Sequence, residues 1–220
     1  MLLAVEICVA VASFVYLGLV EAHAIFAVYP LIIAALAGPM LGEGMGWRRW
    51  LAVGVGFAGV LVILRPGSAV FSPAAGLALT SAAMFALYGL LTRYAARKDS
   101  AATSFFWTGT SGAVALTAVG LWFWAPMTAT DWAIMGTLCV TGATGHYLLI
   151  KVYEAAEAGA VQPFAYLQLV FASGIGIVFF DDALELHTVV GGAIVVAAGL
   201  FTLWRARQVE AVAVVGPAPR

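Results

Sequence analysis

The sequence predicts an all-α fold, a polytopic transmembrane bundle of about eight helices. Hydrophobic residues make up 64% of the chain and charged residues 10%, whereas soluble domains contain roughly 45–50% apolar and about 25% charged residues. Eight apolar stretches follow one another, and the short polar joints between them carry nearly all of the ten Lys and Arg residues. About 20 apolar residues in helical form cross a bilayer and satisfy their own backbone groups, so this pattern indicates a membrane protein.

The predicted spans, in chain order, are Leu2 to Val20, Ala24 to Leu41, Trp50 to Leu64, Ala74 to Tyr94, Ser104 to Trp124, Trp132 to Tyr153, Pro163 to Phe180 and Thr188 to Trp204. Turn-forming residues separate several of them: Arg65-Pro66-Gly67 follows the third span and Ala125-Pro126 the fifth. The residues Ala22-His23-Ala24 also permit a signal-peptide interpretation of the first span. Glu6 and the absence of a preceding Lys or Arg disfavour that alternative.

The distribution of positive charge predicts the orientation. If the chain starts in the cytoplasm, the cytoplasmic joints carry Arg48, Arg49, Arg93, Arg97, Lys98, Lys151, Arg205 and Arg207. The opposite face then carries Arg65 alone, and this bias predicts that both termini are cytoplasmic. The predicted location is the cell inner (plasma) membrane. Residues 208–220, with Pro217 and Pro219, are predicted to form a disordered cytoplasmic tail.

Several function classes are disfavoured by the same composition. The longest basic run is Arg97-Lys98, so no nucleic-acid partner is expected. Cys8 and Cys139 both lie inside apolar segments without metal-ligand spacing, which predicts neither a disulfide nor a metal site. The sequence contains no nucleotide-binding or protease motif, and its polar residues are scattered singly. We therefore expect no enzyme activity and no cofactor.

The chain contains a weak internal sequence repeat. The segment Glu21-Ala22-His23-Ala24 resembles Glu157-Ala158-Gly159-Ala160, and Leu41-Gly42-Glu43 parallels Phe180-Asp181-Asp182. Three apolar spans belong to the first unit and five to the second. This repeat therefore suggests two related units, of which the first has fewer helices.

These segments, with Tyr29-Pro30 and Gln162-Pro163-Phe164-Ala165-Tyr166, resemble the EamA-type branch of the drug/metabolite transporter superfamily. The likeness covers Met1 to Arg207. Members of that family have two five-helix units of inverted topology, so the resemblance implies two inverted repeats. The first, over residues 1–66, is incomplete with three helices, and the second covers residues 70–207 with five. Helices matching the family's first two are not in this sequence, which suggests an incomplete gene product or a start upstream of Met1.

The resemblance implies a transporter of small organic solutes, such as an amino acid or other metabolite, that works by alternating access. An alternative is a non-transporting membrane subunit or remnant that assembles with partner helices, and a homodimer is left open. Polar and aromatic residues inside the spans are the candidate substrate-lining residues, because polar side chains at this depth tend to face the bundle interior. They are His146, Tyr147, Gln162, Tyr166, Tyr88, Trp107 and Glu6.

Each candidate also has a structural interpretation. Glu6 is close to Met1 and could lie at the cytoplasmic interface, and His146 could be a neutral hydrogen-bonding group between helices. Aromatic residues in membrane helices commonly pack or anchor at the interface. Small residues at helical spacing predict close helix packing along two stripes. The stripes are Ala52, Gly56 and Gly59 on the third span, and Ala172 with Gly176 on the seventh.

Overall fold

The structure, a computed structural model, describes residues 1–42, 47–64, 72–158, 162, 165 and 167–214. It is 86% helical, without a strand in the described residues, which confirms the prediction of an all-α bundle. The helices are α1 (Leu2–Leu17), α2 (Leu19–Phe26), α3 (Tyr29–Leu41), α4 (Trp47–Leu64), α5 (Pro73–Ala95), α6 (Ala101–Trp122), α7 (Ala129–Ala155), α8 (Leu167–Phe180) and α9 (Leu186–Val214).

Three helical segments of the described chain are long and apolar enough to cross a membrane. They are Leu19–Leu41, which comprises α2 and α3, Pro73–Ala95 and Ala129–Ala155. Shorter apolar helices, among them Leu2–Leu17 and Phe171–Phe180, lie beside them. This arrangement is that of a multi-pass membrane protein.

The joint between the first two spans lies at Gly18, before the predicted joint at residues 21–23. Gly18 adopts φ 78°, a conformation that glycine reaches without steric cost, and it separates α1 from α2. Glu21 and His23 are therefore helical rather than part of a loop. Ala22 and Ala24 are buried in the bundle. Glu21 and His23 suggest a joint because they interrupt an apolar run in the sequence. They do not break the helix.

Side-chain caps set the start of three helices. The hydroxyls of Ser72 and Ser100 accept hydrogen bonds from the backbone three residues later at the start of α5 and α6. Thr128 and Asp131 form a reciprocal capping box at the start of α7. These caps satisfy backbone N–H groups that the helix itself leaves unpaired.

The last helix extends further than predicted. The sequence predicts a disordered tail from Gln208, whereas α9 continues to Val214. Residues 208–214 contain no Gly or Pro to end the helix, and the first glycine after them is Gly216. Residues 215–220 lie outside the described part of the chain.

Both small-residue stripes face neighbouring helices. A Cβ atom added to Gly59 would lie 2.8 Å from the carbonyl oxygen of Gly191, so the backbones of α4 and α9 are in close contact there. One added to Gly56 would overlap the Leu31 side chain on α3. On α8, a Cβ atom at Gly176 would lie 2.7 Å from Val20 on α2. A side chain at Gly59 would force two backbones apart, whereas the side chains that face Gly56 and Gly176 would have to shift.

Polar contacts gather at the two ends of the bundle. At one end, which we call the arginine end, Arg93 donates to the carbonyl oxygen of Tyr153 at 2.9 Å, and Arg97 donates to that of Leu41. At the other, the aspartate end, Asp182 accepts from the backbone N–H groups of Leu19 at 2.7 Å and Val20 at 3.0 Å. The bundle interior between these ends contains the candidate site.

Candidate functional site

One face of α5 carries polar and aromatic side chains into the centre of the bundle. Ser81, Phe85, Tyr88 and Thr92 follow one another at spacings of four, three and four residues, which places them on a single helical stripe. Ser81, Tyr88 and Thr92 are buried. The stripe therefore gives α5 a polar and aromatic face inside an otherwise apolar bundle.

Aromatic rings form a continuous row across the bundle, which we call the aromatic row. Its members, in order of contact, are Phe14, His23, Phe26, Tyr29, Phe85, Tyr88 and His146, with successive ring centroids 4.8 to 6.3 Å apart. The Phe14 and His23 rings are stacked, while the Tyr29 and Phe85 rings meet edge to face. These are favourable geometries for ring pairs. The row joins α1, α2, α3, α5 and α7.

Tyr88 and His146 meet at one end of the row. Their ring centroids are 6.3 Å apart in an edge-to-face arrangement. The Tyr88 hydroxyl oxygen and the His146 Nδ1 atom are both buried and make no hydrogen bond of normal geometry among the described residues, while the Thr92 and Thr108 side chains lie near the Tyr88 hydroxyl. Because an unpaired buried polar group costs about 1–3 kcal/mol, such atoms are suited to hydrogen-bond a bound molecule.

Glu6 lies beside the same α5 face. Its side chain is buried, with 4% exposure, and its Oε1 atom accepts a hydrogen bond of 2.6 Å from Ser81 Oγ. Ser81 is about 12 Å along α5 from Pro73 and about 21 Å from Ala95, by the helical rise per residue. This position is inside the bundle, and the depth of Glu6 in a membrane stays a prediction.

The structure does not bring all of the predicted residues to this place. Tyr147 is 38% exposed and packs against Phe105, and Trp107 is 65% exposed with its ring against Phe106. Neither ring joins the aromatic row. Tyr166 lies outside the described residues.

Gln162 is buried, but its amide is already engaged. Its Nε2 atom donates to the carbonyl oxygen of Ala158 at 2.7 Å and to the Tyr153 hydroxyl at 3.4 Å. The Tyr153 hydroxyl also lies close to α5, 2.8 Å from the position a Cβ atom would take at Gly89. Gln162 therefore holds Tyr153 in place against α5 in this conformation.

Sequence reasoning missed several residues of the site, namely Phe26, Tyr29, Ser81, Phe85 and Tyr153. The spacing of Ser81, Phe85, Tyr88 and Thr92 was a signal that could have identified the α5 face. Contacts between α1 and α5 or between α3 and α5 have no such signal, because residues far apart in sequence supply them.

The sequence profile of the EamA-like transporter family matches residues 72–204, which include α5 to α8 and most of α9. The chain belongs to the EamA-like transporter family. This confirms the resemblance found in the sequence.

Proteins similar to this EamA-like chain include transporters with different named solutes. An S-adenosylmethionine uptake transporter of Rickettsia prowazekii is 27% identical over 81% of this chain and 61% of its own length. A riboflavin transporter of Rhizobium johnstonii is 31% identical over 83% of this chain and 61% of its own length. A pseudopaline exporter of Pseudomonas aeruginosa is 24% identical over 83% of this chain and 65% of its own length. The chain thus spans less than two thirds of these curated relatives.

Proposed function

We propose that this chain transports small organic solutes across the membrane by alternating access, with the α5 face as one wall of the solute path. The observation that carries the proposal is the buried, unpartnered pair of polar atoms on Tyr88 and His146. Polar groups inside a membrane bundle are costly and commonly mark a substrate path. The proposed solute is an amino acid or another metabolite that can hydrogen-bond to this pair.

The relatives support this proposal because each of those named above is a transporter of a small metabolite. Their names do not favour the alternative of a non-transporting subunit. We further propose two inverted units, residues 1–66 and 70–207, located in the inner membrane. In this arrangement the aspartate end faces outward and both termini are cytoplasmic.

Solute flux tests the transport proposal. The full chain, reconstituted into lipid vesicles, should take up at least one radiolabelled solute from a panel of amino acids, S-adenosylmethionine and riboflavin, above the level in protein-free vesicles. Tyr88→Phe should then lower this flux about two- to tenfold, since a hydrogen bond to a bound solute contributes about 0.5–1.5 kcal/mol. Its melting temperature should change little, because the Tyr88 hydroxyl makes no hydrogen bond of normal geometry among the described residues.

Tyr147→Phe is the matched control, because it removes the same hydroxyl from a ring that is 38% exposed and outside the aromatic row. Its flux should equal that of the unmodified chain. Equal losses in the two variants would remove Tyr88 from the solute path. Absence of flux for every solute of the panel would contradict transport by this chain.

Cysteine accessibility tests the orientation. Single cysteines at Asp99, in the exposed turn before α6, and at Ala125, in the exposed turn before α7, lie at opposite ends of α6. In a chain whose own cysteines are replaced by alanine, an impermeant maleimide added to intact cells should label Asp99→Cys weakly and Ala125→Cys strongly. The reverse pattern would invert the proposed topology.

A further inference from the structure

We propose that Glu6 and Ser81 form a cation-binding point in the solute path, so that the chain selects organic solutes carrying a positive charge. The inference rests on the proposed transport function and specifies the class of its substrate. It follows from the burial of Glu6, from the small number of its partners and from its place on the α5 face.

Glu6 has one protein hydrogen-bond donor in the described part of the chain. A carboxylate can accept about four hydrogen bonds, and Ser81 Oγ supplies one of them at 2.6 Å. No ion pair involves Glu6 among the described residues. The amino group of Met1 contacts Ser111 Oγ at 3.3 Å instead. The carboxyl group is therefore buried without a positive partner from the described residues.

Packing alone gives no reason for a carboxyl group at this position. An acidic side chain at the centre of a membrane helix costs about 2.5–3.5 kcal/mol on insertion scales, whereas a valine or leucine there is favourable. A cation bound at Glu6 would offset that cost, because a buried charge is tolerated when it is paired. The site therefore fits a ligand that brings the missing charge.

The surroundings favour an organic cation over a metal ion. No group of three or more His, Cys, Asp or Glu side chains that could hold a metal occurs among the described residues. Phe85 lies one helical turn from Ser81, and ring faces attract ammonium and sulfonium groups. Calcium and magnesium ions instead require several oxygen ligands.

The distance between Ser81 and Tyr88 along α5 indicates the length of the solute. Tyr88 is seven residues beyond Ser81, which corresponds to about 10 Å of helix. A solute could place its cation at Glu6 and a hydrogen-bonding group at Tyr88 and His146, with its apolar or planar part along Phe85. The two polar points thus fit a metabolite of about 10 Å with a positive charge at one end.

Protection of Glu6 from a hydrophobic carbodiimide tests this inference without a transport assay. The full chain in lipid nanodiscs is treated with dicyclohexylcarbodiimide, and the adduct at Glu6 is measured by mass spectrometry. The probes are pairs in which a cation is matched with a neutral analogue at the same concentration. They are S-adenosylmethionine with S-adenosylhomocysteine, 1-methylnicotinamide with nicotinamide, and choline with 3,3-dimethylbutanol.

At least one cation should slow adduct formation about tenfold more than its neutral analogue, because charge-assisted hydrogen bonds are the stronger class. Glu6→Gln, which keeps the side-chain shape, should abolish the rise in melting temperature that this cation produces. Glu154→Gln neutralises a carboxylate that pairs with Lys151 on α7, outside the proposed binding point, and should retain that rise.

Equal protection by the cation and the neutral analogue in every pair, or protection by none of the cations, would overturn the inference. So would a Glu6→Gln variant that cations still stabilise. Uptake of neutral solutes into vesicles together with either result would leave transport standing and remove only the cation selectivity.

Discussion

Replacing Gly59 with Leu should nearly abolish recovery of the folded chain in detergent. Even a Cβ atom at this position would lie 2.8 Å from the carbonyl oxygen of Gly191 and 2.9 Å from Ile194. Backbone atoms cannot move aside as a flexible side chain can, so α4 and α9 would have to separate. Membrane helices associate chiefly through close packing, and overpacking by a few carbon atoms costs about 1–3 kcal/mol or more.

Gly54→Leu is the matched control on the same helix. A Cβ atom at Gly54 meets nothing within 4 Å, and leucine is the better helix former by about 0.8 kcal/mol. Its yield and melting temperature, measured by fluorescence-detected size-exclusion chromatography, should match or exceed those of the unmodified chain. Gly59→Ala should be intermediate. Similar yields for the two leucine variants would show that contact between α4 and α9 does not stabilise the fold.

The fold class could be predicted from the sequence because bilayer thickness constrains helix length and composition. The spans around α5 and α7 were predicted to within a few residues of Pro73–Ala95 and Ala129–Ala155. The joint at Gly18 was misplaced because a helix inside a bundle tolerates polar residues such as Glu21 and His23. A glycine with positive φ, which ends a helix, looks in sequence like any other glycine.

The candidate site was harder to predict because helix boundaries do not give the rotation of each helix about its axis. Tyr88 and Trp107 both lie in apolar helices, yet Tyr88 is 7% exposed and Trp107 is 65% exposed. Only the neighbouring helices decide which ring faces inward. The Glu6 and Ser81 contact joins residues 75 positions apart, and no local pattern predicts such a pair.

The family resemblance was the part of the functional prediction that the sequence supported well. The order and spacing of degenerate motifs were enough to predict the family. The profile match over residues 72–204 confirms that prediction. Solute choice is a different problem, because relatives at 24 to 31% identity are named for three different solutes. The residues that face the path must therefore determine the solute, and these depend on packing.

The second large expected effect concerns Asp182, one of the two acidic residues that follow α8. Asp182→Ala should lower the free energy of unfolding by about 1–2 kcal/mol, as loss of a helix N-cap does. Its Oδ2 atom accepts from the N–H groups of Leu19 and Val20, across 163 and 162 residues of chain. Both N–H groups open α2, where the helix dipole also favours a negative charge. Asp182 thereby ties the end of α8 to the α1–α2 corner.

Asp181→Asn is the control for this cap. Asp181 is exposed, and its φ of 53° is one that asparagine tolerates. Its unfolding free energy should match that of the unmodified chain. Hydrogen exchange locates the effect of Asp182→Ala, since exchange at the amides of Leu19 and Val20 should be about tenfold faster, equivalent to about 1.4 kcal/mol. Unchanged exchange at both amides would show that Asp182 does not cap α2 in the membrane. Faster exchange confined to these two amides would show that Asp182 stabilises the start of α2 locally.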